Sequence, residues 1–334
     1  MAQFTRLDDE DIRHLAEAFA LGSVRQWKSI AAGTINSNYK IETDAGSYFL
    51  RVNEGKERAE VALEADILQH LATRGIPTPE PVESKEGERF VGYRGKPVSV
   101  FEWRAGGHVN AQSIEVEHCA SAGRALAALH LAGLDFSSES LGAGRYSYER
   151  VKSRLRTIDA GEDPELSTAL QRLAAEVAWL DSKKECRAGV PRGLIHADLF
   201  PDNVLMEGTQ IVALLDFEQA CSASLVYDLA VTANAWCFAR DFVPERLAAL
   251  VSGYQEHRCL DSRERAAFWP ELRAAALRFT VTRITDVYLP ARKSGATQGG
   301  KDYRRFLMRL ECWAQSGAED ILGLADLAQE PSGT

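Results

Sequence analysis

The sequence predicts an α+β protein in two lobes: a small N-terminal one built on an antiparallel sheet, and a larger, mainly helical C-terminal one. Between Val24 and Val52 the apolar residues follow a strand-like period, with Trp27 and Ile30, then Tyr39 and Ile41, then Tyr48, Leu50 and Val52. From Ser113 onward the apolar positions instead repeat at helical spacing. Gly106-Gly107 punctuates the passage from one regime to the other, and the lobes are drawn as residues 1–104 and 105–334.

The elements follow in order. Residues 8–20 open on Asp8-Asp9-Glu10-Asp11, suited to the positive end of a helix, and then place Ile12, Leu15, Ala16 and Phe19 on one face. Three strands come next. Ala32 to Asn38 forms the first turn between them and Asp44-Ala45-Gly46 the second. Residues 57–73 read as a helix with Val61, Leu63, Ile67, Leu68 and Leu71 apolar. Gly75-Ile76-Pro77-Thr78-Pro79-Glu80-Pro81 breaks it into extended chain. Strands near 90–93 and 97–103 complete the sheet. Helices are then predicted over 115–132, where Val116, Ala120, Leu126, Leu129 and His130 align, and over 164–182, from Tyr227 through Trp236, over 244–256 and over 263–289. Residues 134–162 read as a polar connection, and Lys301-Asp302-Tyr303 starts a last helix.

The chemistry concentrates in Leu194-Ile195-His196-Ala197-Asp198-Leu199-Phe200-Pro201-Asp202-Asn203 and, thirteen residues later, Asp216-Phe217-Glu218. Phosphoryl transfer needs one carboxylate for the attacking hydroxyl, and an amide oxygen with a second carboxylate to hold Mg²⁺ against nucleotide phosphates. Asp198 is read as the base, and Asn203 and Asp216 as metal ligands. The small and polar turn containing Gly33, Asn36 and Ser37 suits backbone N–H groups approaching the phosphates of ATP. Taken singly, each of these segments also reads as ordinary turn chemistry. It is the joint spacing that points to a kinase.

His-x-Asp-x-x-x-x-Asn followed by a strand-borne Asp resembles the phosphotransferase branch of the protein-kinase-like fold, the branch of aminoglycoside and choline kinases. The wording Ile195 to Val204, Tyr227-Asp228-Leu229-Ala230, Asn234-Ala235-Trp236-Cys237-Phe238, Asn36-Ser37-Asn38-Tyr39, and Arg278 with Arg283 and Asp286 is similar to the bacterial homoserine kinases of that fold. The resemblance implies that Arg51 serves the α/β-phosphates where many relatives have Lys, and that Glu64 positions it. It also implies that the backbone at Phe101, Glu102 and Trp103 meets adenine, that His196 buttresses the loop, and that Asp228 braces it through backbone N–H groups. Arg283 and Asp286, three apart on a helix, offer a cation and an acceptor to a zwitterionic amino acid; the same spacing also suits a surface ion pair. The implied reaction is ATP-dependent phosphorylation of the L-homoserine hydroxyl, with another small alcohol such as an aminoglycoside or choline as the alternative acceptor. A non-catalytic nucleotide-binding protein is the alternative of another class.

Composition excludes other classes. A net charge of -9 opposes nucleic acid or anionic membranes as main partners. Six widely spaced Cys without a CxxC pair argue for free thiols rather than a disulfide scaffold or zinc site. Met1 to Thr5 shows no secretory pattern, so a cytoplasmic protein is expected, as monomer or homodimer, acting on a small molecule. No Ala-Pro-Glu segment follows Asp216, which opposes a protein substrate.

Overall fold

The computed structural model describes residues 5–30, 36–137, 141–295 and 301–324. By packing, the chain forms two units. The first comprises Met1–Gly107, Leu205–Glu207 and Val212–Glu218; the second comprises His108–Val204, Gly208–Ile211 and Gln219–Thr334. Asp216-Phe217-Glu218 therefore belongs with the first unit.

In the first unit, Asp8 caps helix α1 (Asp9–Ala18) by accepting from Glu10 N and Asp11 N, both at 3.0 Å. Strands β1 (Val24–Ile30), β2 (Ser37–Thr43) and β3 (Ser47–Val52) follow, then helix α2 (Arg58–Ala72) and strands β4 (Val91–Tyr93) and β5 (Lys96–Glu102). The sheet is antiparallel throughout, in the order β1-β2-β3-β5-β4. The strand-like period buries Tyr39, Ile41, Leu50, Val52, Val98 and Val100 in one cluster with Ile12, Leu15 and Phe19 of the first helical segment. In β3 the register sets Arg51 between Asn38 of β2 and Ser99 of β5. That central position keeps the Arg51 backbone fixed.

The chain continues through α3 (Val116–Ala132), α4 (Tyr148–Leu155), α5 (Pro164–Ser182) and α6 (Lys184–Ala188). Strands β6 (Arg192–Ile195), β7 (Val204–Glu207), β8 (Gln210–Leu214) and β9 (Cys221–Ser224) come next. Helices α7 (Leu225–Trp236), α8 (Pro244–Gln255), α9 (Ser262–Arg283), α10 (Leu289–Ser294), α11 (Arg304–Gln315) and α12 (Ala318–Leu324) complete it. β6 pairs with β9, Ile195 opposite Cys221, and β7 pairs with β8. Two sequence expectations change here. Residues 134–162 contain α4, a two-turn helix that buries only Val151 and Leu155 and so shows too little periodicity to be recognised. Val116, expected on the apolar face of α3, is the first residue of that helix and is exposed. No helix among the described residues is long and apolar enough to cross a membrane.

The closest helix pair in the second unit is α3 on α8. A Cβ added at Gly123 would sit 2.1 Å from Leu250 O, and one at Gly253 would sit 2.2 Å from Ala120 O. The obstacles are backbone atoms, which cannot swing aside as a side chain can. Gly253→Ala is expected to lower the unfolding free energy by about 1–3 kcal/mol through overpacking, read as a fall in Tm. Gly142→Ala, where an added Cβ meets nothing within 4 Å, should leave Tm unchanged. Equal melting of the two variants would refute the close approach.

Candidate active site

β6 delivers the chain into the loop that carries Asp198, and a single buried carboxylate sets that loop's shape. Asp228, on the first turn of α7, accepts from His196 N and Ala197 N, each at 2.7 Å, and its Oδ2 also lies 3.1 Å from His130 Nε2. His130 Nδ1 is in turn 2.7 Å from the Tyr254 hydroxyl. These groups hold Ala197 at φ 62°, a left-handed conformation that a residue with a side chain adopts at a cost. The rest of the loop is pinned as fully. Arg278 Nη1 donates to Ala197 O at 2.5 Å, Asp198 N donates to His196 Nδ1 at 3.3 Å, and Trp236 Nε1 donates to Leu199 O at 2.9 Å. Asn203 Nδ2 donates to Asp198 O at 2.8 Å and stands 3.4 Å from Asp198 Oδ2, leaving the Asn203 amide oxygen directed away from those bonds.

The surroundings set the two carboxylates apart chemically. Burial pushes the Asp228 carboxyl up, but the His130 hydrogen bond and charge, His196 and the backbone N–H together hold it below the usual range. Asp198 goes the other way. Burial raises it, Asp202 adds to the rise, and Arg278, His196 and Lys301 only partly offset it.

The first unit assembles a compact charge cluster. Arg51 is 2.8 Å from Glu64, and Lys56 is 3.1 Å from the same carboxylate. Glu218 lies 2.9 Å from Lys56 and 3.8 Å from Arg51, and it also accepts from Asn36 Nδ2. Burial works against the Arg51 charge, yet Glu64, Glu218 and Asp216 raise its pKa further. Burial works against the Glu64 charge too, and Arg51 and Lys56 hold that carboxyl below its usual range. Arg51 Nε is buried with no hydrogen-bond partner among the described residues. Asp216, like Ala197, has a left-handed backbone, φ 61°. Among the described residues no three His, Cys, Asp or Glu side chains converge into a metal cage.

Other expected site residues are placed differently. Gly33 lies outside the described residues. The Asn36 side chain is engaged by Glu218 and Glu54 N, and the Ser37 hydroxyl by Glu54 and Thr5 N, so both side chains are committed within the first unit. The Trp103 amide donates to Ser47 O at 2.9 Å, while Phe101 pairs with Phe49 and Glu102 with Tyr48. The Trp103 N–H is thus committed to the sheet. Arg283 and Asp286 do not pair with each other. After Arg283 the helix widens into a π segment, Ile284–Tyr288, in which each residue turns less, so three residues no longer return to one face. Asp286 instead meets Arg154 at 3.1 Å, and Arg283 Nη1 donates to Asp302 O at 3.3 Å.

Three further residues are brought in that spacing alone does not single out: Lys56, Glu218 and Arg278. Only Arg278 left a signal, as a lone charge in the apolar run Ala274 to Phe279, where a buried guanidinium requires partners. It lines a cavity of about 260 Å³ with Tyr146, Tyr148, Arg187, Cys221 and Tyr227, on the Ala197 side of the loop.

A braced His-x-Asp loop followed by Asn203, and a cation–carboxylate pair linking β3 to α2, define a phosphotransferase of protein-kinase-like fold. The chain belongs to the phosphotransferase enzyme family, which it matches over residues 26–269. Among curated proteins it is 35% identical to the homoserine kinase of Nitrobacter winogradskyi, over 98% of this chain and 99% of that protein. It is 33% identical to the homoserine kinase of Rhodopseudomonas palustris, over 100% and 99%. Solved structures of similar fold include the amicoumacin kinase hAmiN in complex with AMP-PNP, at TM-score 0.70 and 17% identity, covering 93% of this chain and 95% of that one. The microcompartment-associated aminopropanol kinase follows at TM-score 0.67 and 20% identity, covering 95% and 99%.

Two outcomes are expected from this geometry. Asp228→Ala leaves two buried backbone N–H groups without an acceptor, at about 1–3 kcal/mol each, so denaturant unfolding should show a loss of at least about 2 kcal/mol. The acid limb of kcat/KM should lie above the ordinary Asp range of about 3.9. Arg278→Met removes a charge that favours the Asp198 carboxylate and should move that limb higher still. A limb that stays put or moves to lower pH would remove Arg278 as the charge partner.

Proposed function

We propose that this enzyme transfers the γ-phosphoryl group of ATP to the side-chain hydroxyl of L-homoserine, giving O-phospho-L-homoserine, a step of threonine biosynthesis. The observation that carries the reaction type is Asp198, a half-buried carboxylate with a raised pKa on a loop whose backbone is hydrogen-bonded along its length. The acceptor is inferred from the full-length likeness to homoserine kinases at 33–35% identity.

In this reading Asp198 accepts the hydroxyl proton as the oxygen–phosphorus bond forms and the bond to the ADP oxygen breaks. Asn203, whose Nδ2 is anchored on Asp198 O, and Asp216 are the residues that would hold Mg²⁺. The metal supplies charge neutralisation on the phosphates. Arg51, steadied by Glu64, and Lys56 supply fixed positive charge for the nucleotide, and the backbone around Gly33, Asn36 and Ser37 approaches its phosphates. The strand end at Phe101, Glu102 and Trp103 meets the adenine edge, with the Trp103 carbonyl rather than its N–H available. His196 keeps the loop in shape and touches no reacting atom. Arg283 receives the acceptor carboxylate. Asp286, held by Arg154, is the weaker choice for the ammonium group.

Catalysis is then mainly positioning and electrostatic stabilisation. Coupled ADP release with Mg-ATP, comparing L-homoserine with amino alcohols and aminoglycosides, tests the reading. Homoserine should be the preferred acceptor, and Asp198→Asn should lower kcat by roughly 10²–10⁴-fold while nucleotide binding persists. Preference for another acceptor overturns the substrate, and near-normal turnover by the variant overturns the base.

A further inference from the structure

Phe200 lies between Asp198 and Asn203 in the chain, and its backbone is held from both sides. Its N–H donates to Asp198 O at 2.8 Å, and its carbonyl accepts from Asn203 N at 2.9 Å. Two bonds this close fix where the side chain leaves the loop. The ring meets Phe279 of α9 edge to face, with centres 5.0 Å apart and planes at 62°, and its centre is 6.1 Å from that of Phe306 on α11. Phe279 and Phe306 are themselves 4.9 Å apart. Rings packed in this way restrict one another's rotamers.

Exposure separates the three. Phe279 and Phe306 are buried, whereas Phe200 is half-buried and keeps part of its surface open. Asp198 and Arg283 are half-buried as well. Arg283 comes four residues after Phe279 on α9, which puts both on one helix face. Its guanidinium lies 4.3 Å from the centre of the Phe306 ring, which Arg309 also meets, at 4.4 Å. Burial and Arg305 work against the Arg283 charge while Asp198 supports it, so the carboxylate and the guanidinium are within electrostatic reach of each other. The Phe200 ring is tied to the carboxylate through the backbone and to the guanidinium through Phe306. An open apolar surface in that place can hold the methylene chain of a molecule whose polar ends go to the two charged groups.

We propose that Phe200 is a specificity-determining residue of the acceptor site: its ring carries the acceptor's methylene chain between Asp198 and Arg283, and so selects the chain length. The inference rests on the homoserine reading, in which Asp198 takes the hydroxyl and Arg283 the carboxylate, and deepens it. An alcohol with two methylenes between its hydroxyl and its α-carbon spans the ring, and one with a single methylene falls short.

The experiment measures kcat and KM in the wild type, Phe200→Leu and Phe200→Met for three alcohols. These are L-homoserine, L-serine, which is one methylene shorter, and 3-aminopropan-1-ol, which keeps the longer chain but has no carboxylate. One methylene in an apolar pocket is worth roughly 10–200-fold, so the wild type should favour homoserine over serine by about that factor in kcat/KM. Both variants should lower this preference at least about fivefold, chiefly through a higher homoserine KM, with kcat on homoserine within about threefold. Losses on 3-aminopropan-1-ol should match those on homoserine, because the ring reads the chain and not the carboxylate. Phe200→Met puts a flexible apolar side chain in the same space, so it decides the matter if Phe200→Leu fails to fold. Equal losses on homoserine and serine would make the ring a support of the loop alone and overturn the inference. An unchanged preference in both variants, losses that spare 3-aminopropan-1-ol, or a wild type that uses homoserine and serine equally would overturn it too. Each of these leaves the homoserine reading standing. Wild-type protein that ignores homoserine overturns both.

Discussion

The Asp228 carboxylate, accepting the N–H groups of His196 and Ala197, is the contact on which the second unit's chemistry depends. A left-handed Ala197 is unfavourable in isolation, and a loop of irregular backbone inside a protein has polar groups that must find partners. One buried anion satisfies two of them at once. His130 and Tyr254 hold that anion from α3 and α8, the pair whose glycines allow backbone contact. The geometry of the Asp198 loop is therefore fixed by side chains drawn from α3, α7 and α8. A base held this way, as proposed for Asp198, would need little reorganisation when charge moves.

Charges in the second unit differ in how they are partnered. Arg273 and Arg187 are matched by Glu176 and Glu271, and such pairs hold α9 against α5 and α6. Asp198 has cations nearby but remains raised by burial, and Arg283 and Arg309 are left without a carboxylate among the described residues. In the first unit Glu64 and Glu218 share Arg51 and Lys56, so the two cations are ordered together and neither depends on a single partner. Buried charge of this kind is costly unless it is neutralised, and nucleotide phosphates and an amino-acid carboxylate are the anions a kinase of this type would supply.

Much of this was legible from residues alone, for identifiable reasons. The strand-like runs of β2 and β3 and the helical runs of α1, α2 and α8 are set by one-sided burial, which writes its period into the sequence. The Asp198, Asn203 and Asp216 spacing was visible because short loops fix the distance between chemistry-bearing residues. Helix α4 was not visible, having only two buried positions. Nor was the π segment after Arg283, because a widened turn depends on what packs around it and leaves no periodic trace. That segment is why Arg283 and Asp286, neighbours by count, end with different partners.

The sequence by itself determined the α+β class, the order of the longer elements and the spacing of the groups proposed for phosphoryl transfer, since these follow from local periodicity and close spacing. Tertiary structure alone decided which charges meet. Lys56 and Glu218 are far apart in the chain, and nothing in their local spacing brings them together. Whether a charge is paired, buried or left wanting a partner is a property of its neighbours in space, and those come from every part of the fold.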